Sequence, residues 1–296
     1  MKLTTLTDTL ALLRPKQWAK NAFVFIPCFF SGNITNLQSI KSCFVLFVSF
    51  CLIASSVYCI NDVVDSGQDK CHPKKKFRPI ASGKLTTKYA LCVAAVCALS
   101  AIATAYYGII ENYKAIVVIL LSYFAINIAY CLKLKQLTII DILTVATGFV
   151  MRVVGGGFAA DIWISQWIVI MTYLLSLFLV LAKRRDDVIL VENGNQVRKS
   201  IEKYNRLFLD QCISIVSAII IVSYILYTVS EEVIARMHTN YLYVTSFWVL
   251  FGIMRYLQLT SVLNKSGSPT EILYHDNYIK VAVVGWILSY CIIIYL

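Results

Sequence analysis

Nine apolar runs, each roughly 17 to 25 residues long, partition this chain, at approximately 14–31, 41–62, 88–110, 115–132, 139–160, 164–182, 211–230, 241–262 and 279–296. A backbone in hydrocarbon has no water to satisfy its N–H and C=O groups. Only a helix satisfies them within one segment without closing a barrel. The runs therefore predict an all-α fold, a polytopic membrane bundle of nine transmembrane helices, with residues 1–296 forming a single transmembrane domain. Hydrophobic residues make up 59% of the 296 and charged residues only 15%, which places the chain outside the soluble range. The first run is the least continuous, since only "NAFVFIPCFF" is wholly apolar and Pro27 interrupts it.

The ten cysteines mostly fall inside these runs, form no CxxC pair and have only three histidines in the chain to complete a zinc site, so they read as small buried apolar residues. Arg14, Lys16 and Lys20 interrupt the approach to the first run and no small-residue cleavage site follows it, so the N-terminus is expected to be retained. Charge sets the orientation. All but four of the 27 Lys and Arg (Lys41, Lys114, Arg152 and Arg236) lie on the N-terminal side or in every second loop. The positive-inside rule then puts the N-terminus and both long charged loops, after runs two and six, in the cytoplasm and the C-terminus outside. The excess of basic over acidic residues, +11 overall, suits anionic lipid first and an anionic substrate second.

The most charged stretch is "NDVVDSGQDKCHPKKKFRPIASG", residues 61–83. Asn61, Asp62, Asp65 and Asp69 follow directly from run two, and offsets of three and seven residues from Asp62 put Asp65 and Asp69 on one face if the helix continues, although Gly67 is a candidate break. Oxygen donors so spaced suit Mg²⁺, which takes one or two carboxylates and completes its shell with water and substrate phosphate. The bland alternative is a solvated loop beside the membrane. Lys74, Lys75, Lys76 and Arg78 come next, and Pro73, Pro79 and Gly83 predict a turn that folds them back over the aspartates. For the lysines, lipid headgroups and a substrate are equally good partners.

The second charged loop opens with "AKRRDDV", residues 182–188. Lys183, Arg184 and Arg185 can meet phosphate, while Asp186 and Asp187 can complete a metal site. An ordinary positive-inside flank explains the cations equally simply. In run five, Asp141, Gly148, Arg152 and Gly155 fall on one stripe at about 100° per residue. An arginine inside a hydrophobic run must face protein or water, so Arg152 is a functional candidate, against the alternative of snorkelling to the far interface. Gly155, Gly156 and Gly157 also permit close helix packing. "RPKQWAKN" (14–21) and the ends of runs eight and nine, with Arg255, Tyr256, Glu271 and Asp276, are weaker signals; the former reads as an interfacial anchor.

In their order along the chain, "NDVVDSGQD", a basic loop ending in "RPIASG" and a second charged loop after run six resemble the UbiA superfamily of intramembrane prenyltransferases. Within it, "RPKQWAKN", "YCLKLK", the segment from Arg152 to Gly157, "AKRRDD", "VRKSIEKY" and "MRYLQL" look most like the branch that transfers phosphoribose to polyprenyl phosphates. That resemblance implies a nine-helix UbiA-like bundle that takes 5-phosphoribosyl diphosphate and a decaprenyl-phosphate-like polyprenyl phosphate, releases diphosphate and supplies a lipid-linked phosphoribose for cell-envelope glycans. It also implies Mg²⁺ as cofactor, with Asp62 and Asp65 catalytic, Asn61 and Asp69 assisting at the metal, and Lys20, Lys74, Arg78, Tyr130, Lys133, Asp141, Arg152, Lys183, Arg184, Arg185, Asp187 and Arg255 binding substrate. The expected setting is a bacterial inner membrane, with the active site facing the cytoplasm, no nucleic acid partner and room for a homo-oligomer.

One departure from the superfamily bears on substrate. Prenyl donors are usually held by two acidic motifs, the second of the form DxxxD, whereas here Asp186 and Asp187 are adjacent and follow three cations. Extra cations suit a donor with a 5-phosphate and an anionic acceptor, and that acceptor, already ionised near neutral pH, needs no general base. Two rivals remain open. A prenyltransferase acting on an aromatic acceptor would use the same aspartates, and a transporter of anionic metabolites would also explain Arg152.

Overall fold

The computed structural model describes residues 3–31, 36–71, 75–109, 111–192, 201, 203–263, 272 and 275–295. Lys74 and Glu271 lie outside them. The described residues are helical or irregular and include no strand. They form two compact units, Met1–Val169 and Ile170–Leu296. The first holds α1 (Leu3–Leu13), a 3₁₀ segment (Pro15–Phe25), α2 (Ile26–Phe30), α3 (Leu37–Cys71), α4 (Thr87–Gly108), α5 (Tyr113–Leu132), α6 (Ile140–Ala160) and the start of α7 (Gln166–Glu192). The second holds the rest of α7, α8 (Arg206–Val229), α9 (Glu231–Met237), α10 (Ser246–Ser261) and α11 (Asn277–Tyr295).

Eight helices are long and apolar enough to cross a membrane among the described residues, and they coincide with the last eight runs. The first run folds differently, as 11 residues of 3₁₀ helix followed by the five-residue α2. A 3₁₀ helix advances about 2.0 Å per residue and an α-helix about 1.5 Å, so 15–30 cover about 30 Å end to end, the thickness of a hydrocarbon core. This stretch thus has the length of a ninth crossing without being one long α-helix. The protein is a polytopic helical membrane protein.

Two helices outrun the bilayer. At 35 residues α3 is about 52 Å long, and α7 at 27 residues is about 40 Å, so in each the charged end extends past an apolar core of about 30 Å. Gly67 does not break α3; it is exposed, with no atom within 4 Å of where a Cβ would stand. The aspartate motif is therefore helical throughout.

Within the first unit, α3 is the central element. Ala90, Ala94, Cys97, Ala101 and Ala105 give α4 a buried stripe of small side chains, and Ser56 of α3 donates to the Ala94 carbonyl at 2.7 Å. Small side chains let two membrane helices approach closely, where dispersion and such hydrogen bonds replace the hydrophobic driving force. Around Phe50, the residues Val24, Leu46, Ile53, Ile116, Leu120 and Tyr123 close a buried core shared by the 3₁₀ segment, α3 and α5. Cys28, Cys43, Cys51, Cys59, Cys97 and Cys131 are buried and unbridged, as small apolar residues.

Helix α6 brings its glycines to the closest contacts. A Cβ on Gly156 would sit 2.0 Å from the Val24 carbonyl oxygen, and one on Gly155 would press on Leu46 and Phe50. Gly156→Ala is therefore expected to push the 3₁₀ segment off α6 and cost about 1 to 3 kcal/mol. Gly67→Ala, in open space on an exposed helical turn, should instead stabilise by roughly 0.5 to 1 kcal/mol. Thermal unfolding of the two variants in detergent checks both signs.

Candidate active site

Asp62, Asp65 and Asp69 occupy successive turns at the C-terminal end of α3, and three other segments bring a cation to them. Arg14 meets Asp62. Arg78 Nη1 lies 2.6 Å from Asp69 Oδ2 and 3.3 Å from Asp62 Oδ1, bridging two carboxylates that seven residues of helix place on the same face. Lys135 donates to Asp65. Asp62 is only 2% exposed, so it sits buried and not in a solvated loop. Asn61 beside it is half-buried.

Each cation is delivered by a fixed local structure. Arg14 stands between α1 and the 3₁₀ segment with φ 54°, in the left-handed region. Its register is pinned by Trp18, which donates to Ser55 Oγ at 3.0 Å, while Ser55 donates to the Leu13 carbonyl at 2.9 Å. The guanidinium also lies 5.0 Å from the Tyr58 ring centroid, so Ser55, Tyr58 and Asp62, at offsets of three and seven, receive this segment along one face of α3. Arg78 comes from the turn after α3. There Ser82 N–H bonds Arg78 O at 2.9 Å, Leu85 N–H bonds Pro79 O at 3.0 Å, and Gly83 supplies the left-handed residue (φ 76°) the turn needs. Ile80 and Leu85 anchor that turn in a buried cluster with Leu12 and Cys59. Lys135 sits in a 3₁₀ turn (Leu134–Gln136) just before Ile139, a β-branched residue at φ 72°. Such a conformation costs of order 1 to 3 kcal/mol and persists only where the surroundings impose it.

The donor set fits Mg²⁺. The oxygens are hard carboxylate donors at one helix end, and no three Asp, Glu, His or Cys side chains among the described residues converge into a closed cage. An ion that takes one or two carboxylates plus water and phosphate requires no such cage. Asp62 and Asp65, with Asn61 and Asp69 near them, are the residues that would hold it.

Arg152 forms a separate centre. It is 5% exposed, and its Nε donates to Asn21 Oδ1 at 2.7 Å, Nη1 to the Gly148 carbonyl at 2.7 Å and Nη2 to Tyr123 Oη at 2.8 Å. The rings of Phe50, Tyr123 and Phe149 surround the guanidinium with centroids at 4.8 to 5.6 Å. It faces protein and does not snorkel, and neutral groups and aromatic faces supply the contacts that a carboxylate supplies elsewhere. Asp141, Gly148 and Gly155 are buried on the same helix, Asp141 in its first turn.

In the second unit, Arg185 is fully buried and bonds Asp210 of α8 at 2.5 Å, and Arg184 is buried and bonds Asp187 at 2.9 Å. Lys183 is exposed. Arg255 is held by Asp276 at 2.7 Å and Gln258 at 2.7 Å, and stacks on Tyr278 at 4.5 Å. Among the other residues singled out in the sequence, Lys20 and Tyr130 are half-buried and Lys133 is exposed.

Several residues escaped the sequence reading. Arg14 resembled an interfacial anchor, and within "YCLKLK" the buried lysine is Lys135, not the exposed Lys133. Which of two lysines turns inward is set by the short 3₁₀ turn that carries Lys135, and two lysines two residues apart leave no mark of it in residue type. Tyr123 and Asp210 carry no motif at all, and Asn21 closes "RPKQWAKN" without a role of its own there; for Asn21 and Tyr123 the one signal was that a buried Arg152 needs partners.

A polytopic helical membrane protein with an interleaved acid–cation cluster at one helix end is the class these features define. Residues 24–189 match the UbiA prenyltransferase family. Over 95% of its length the chain is 31% identical to the decaprenyl-phosphate phosphoribosyltransferase of Corynebacterium glutamicum, covering 84% of that protein. It is likewise 31% identical over 93% of its length to the protein of the same name from Mycolicibacterium smegmatis, covering 88% of it. Its fold superposes on a UbiA homologue from Archaeoglobus fulgidus, solved bound to DMAPP and Mg²⁺, with a TM-score of 0.71 at 17% identity, covering 98% of this chain and 100% of that one. The chain belongs to the UbiA prenyltransferase family.

Two expectations follow from the side-chain geometry. Arg152→Lys cannot reproduce three bonds from one planar fork, so it should lower stability by roughly 2 to 5 kcal/mol, read from thermal unfolding in detergent. Asp276 accepts from the Ile279 N–H at 3.0 Å at the start of α11, and the Arg255 guanidinium holds its carboxyl below the ordinary range, against partial burial. A lowered folded value gives stability that is complete above the unfolded value of about 3.9 and disappears as pH falls through the folded one. The difference in thermal midpoint between the parent and Asp276→Ala should accordingly be widest near neutral pH and close in acid.

Proposed function

We propose that this protein transfers the 5-phosphoribosyl group of 5-phosphoribosyl diphosphate to a polyprenyl phosphate, with Mg²⁺ as cofactor and the site open to the cytoplasm of a bacterial inner membrane. The observation that carries the proposal is the set of three carboxylates interleaved with three cations at the end of α3, an arrangement suited to a metal–diphosphate group. The choice of a phosphoribosyl donor is supported by the names of relatives matched along nearly the whole chain.

In this reaction an oxygen of the polyprenyl phosphate forms the new bond to ribose C1, while the bond from C1 to the diphosphate oxygen breaks and diphosphate leaves with the electron pair. Bound Mg²⁺ would supply charge neutralisation for that leaving group. Asp62 and Asp65 hold the metal, with Asn61 and Asp69 assisting. Arg14, Arg78 and Lys135 turn their N–H groups to phosphate oxygens. No side chain has to remove a proton, because the acceptor arrives ionised. On its charge we also assign Lys183 to a donor phosphate.

The deciding experiment supplies purified protein with labelled 5-phosphoribosyl diphosphate and decaprenyl phosphate, and in parallel with a prenyl diphosphate and an aromatic acid. The first pair should give a lipid-linked phosphoribose and Mg²⁺-dependent diphosphate release. Product from the second pair alone would make the protein an aromatic prenyltransferase, and release from neither would favour a carrier. Asp65→Asn is expected to cut turnover roughly a thousandfold, since metal stabilisation of the leaving group is worth several kcal/mol. Lys183→Ala should raise the Michaelis constant for the phosphoribosyl donor about tenfold to a hundredfold, the loss of one charge-assisted contact, while leaving that of the lipid nearly unchanged.

A further inference from the structure

We infer that Arg14, Arg78 and Lys135 are built-in counter-ions that close the α3 carboxylates to a bare divalent cation, so that metal is taken up only together with a diphosphate that receives the three cations. The inference rests on the metal–diphosphate function proposed above and concerns the order in which that site fills. Its starting point is charge balance: among the described residues, three carboxylates face three cations, and each is engaged. Asp62 touches both arginines, Asp69 is bonded by Arg78 and Asp65 by Lys135.

One oxygen of each carboxylate (Asp62 Oδ1, Asp65 Oδ1 and Asp69 Oδ2) is bonded to a cation, so a dication arriving alone has either to share a carboxylate with that cation, at close range to its like charge, or to displace it. Lys135 is 7% exposed, and an ammonium stripped of its anion there keeps almost none of the hydration that would compensate the loss. Asp62, which both arginines touch, is only 2% exposed. The cluster would also gain two positive charges in a poorly hydrated place. A diphosphate arriving with the metal removes both difficulties, because its oxygens accept the displaced N–H groups and its charge offsets the ion's.

The architecture suits such an exchange. The cations come from three separate segments: the junction before the 3₁₀ segment, the turn after α3 and the turn before α6. They can therefore shift from carboxylate to phosphate while α3 stays in place. Two of these junctions hold a non-glycine residue in the left-handed region, Arg14 itself and Ile139, so the cation-bearing turns are conformations imposed by their surroundings. If the pairs were only structural fasteners, removing a cation would weaken the site; as counter-ions that bar the metal, their removal strengthens it.

The test measures Mn²⁺ binding by paramagnetic resonance to the full-length protein in detergent, with and without inorganic diphosphate, at free concentrations corrected for the soluble Mn²⁺–diphosphate complex. The parent should bind Mn²⁺ at least about tenfold more weakly alone than with diphosphate, and Lys135→Met and Arg14→Met should each bind Mn²⁺ alone about tenfold more tightly than the parent. Thermal unfolding gives an independent readout that tolerates partial destabilisation. Mn²⁺ alone should raise the midpoint of either variant, whereas the parent should respond only to Mn²⁺ with diphosphate. Equal affinity in the parent with and without diphosphate, together with its loss in Asp65→Asn, would overturn the counter-ion role and leave the metal site standing. Weaker Mn²⁺ binding in both cation variants would also overturn it. Unchanged binding in Asp65→Asn would refute the metal–diphosphate function itself, and the counter-ion role with it.

Discussion

A carboxylate withdrawn from water needs a counter-charge, and the first unit is arranged around meeting that need at the end of α3. Three aspartates on one helix cannot neutralise one another, so the chain reaches them from a junction 48 residues upstream of Asp62, a turn nine residues downstream of Asp69 and another 70 residues beyond Asp65. Each pairing fixes a segment that would otherwise be a free linker. The 3₁₀ segment is registered against α3 by Arg14, Trp18 and Ser55, and the turn after α3 by Arg78 together with the apolar anchors Ile80 and Leu85. The charged residues thus organise the very loops that hydrophobic burial, uniform along a membrane helix, cannot position.

Arg152 answers the same electrostatic problem in the opposite way. At 5% exposure it has neutral hydrogen-bond acceptors and three aromatic faces, spread over the 3₁₀ segment, α3, α5 and its own helix. A guanidinium tolerates this because its charge is delocalised and its five donors lie in one plane that neighbours can satisfy separately. The two centres therefore differ in what they can do. The aspartate cluster pairs three acids with three cations, whereas the arginine centre holds one charge among neutral partners. A site that must admit and release a charged substrate draws on the first kind of chemistry.

Much of this was legible in the sequence, and the physical reason is the strength of the membrane constraint. Six of the eight apolar runs that helices match agree with them to within about five residues, and the other two continue into the charged ends of α3 and α7, because hydrocarbon allows no other use for such runs. Where that constraint ends, so does legibility. The 35-residue α3 continues past its apolar part into residues whose composition alone reads as a loop, and only the offsets of Asp65 and Asp69 from Asp62 hinted that the helix goes on. The first run folds as 3₁₀ helix over Pro15–Phe25 and as α-helix only over Ile26–Phe30, a difference that apolar composition does not signal. Arg14 and Lys135 could not be assigned from residue type because they sit at turns outside the regular helices, and Asn21 because nothing in an amide marks it as the partner of a buried arginine.

The overlength of α3 and α7 links this legibility to chemistry. A transmembrane helix that stopped at the interface would leave its last carbonyls to water or a cap, and polar residues beyond it would hang on a flexible linker. Continuing the helix satisfies those carbonyls and holds Asp62, Asp65 and Asp69 at fixed spacing beyond the apolar core. Rigid spacing matters for a metal that takes only one or two carboxylates, because a misplaced ligand cannot be replaced by a neighbour. The cations, by contrast, are borne on turns. Acids on one continuous helix and cations on three separate segments form a division of labour, and the strained backbone lies at Arg14 and Ile139 and not within the aspartate helix.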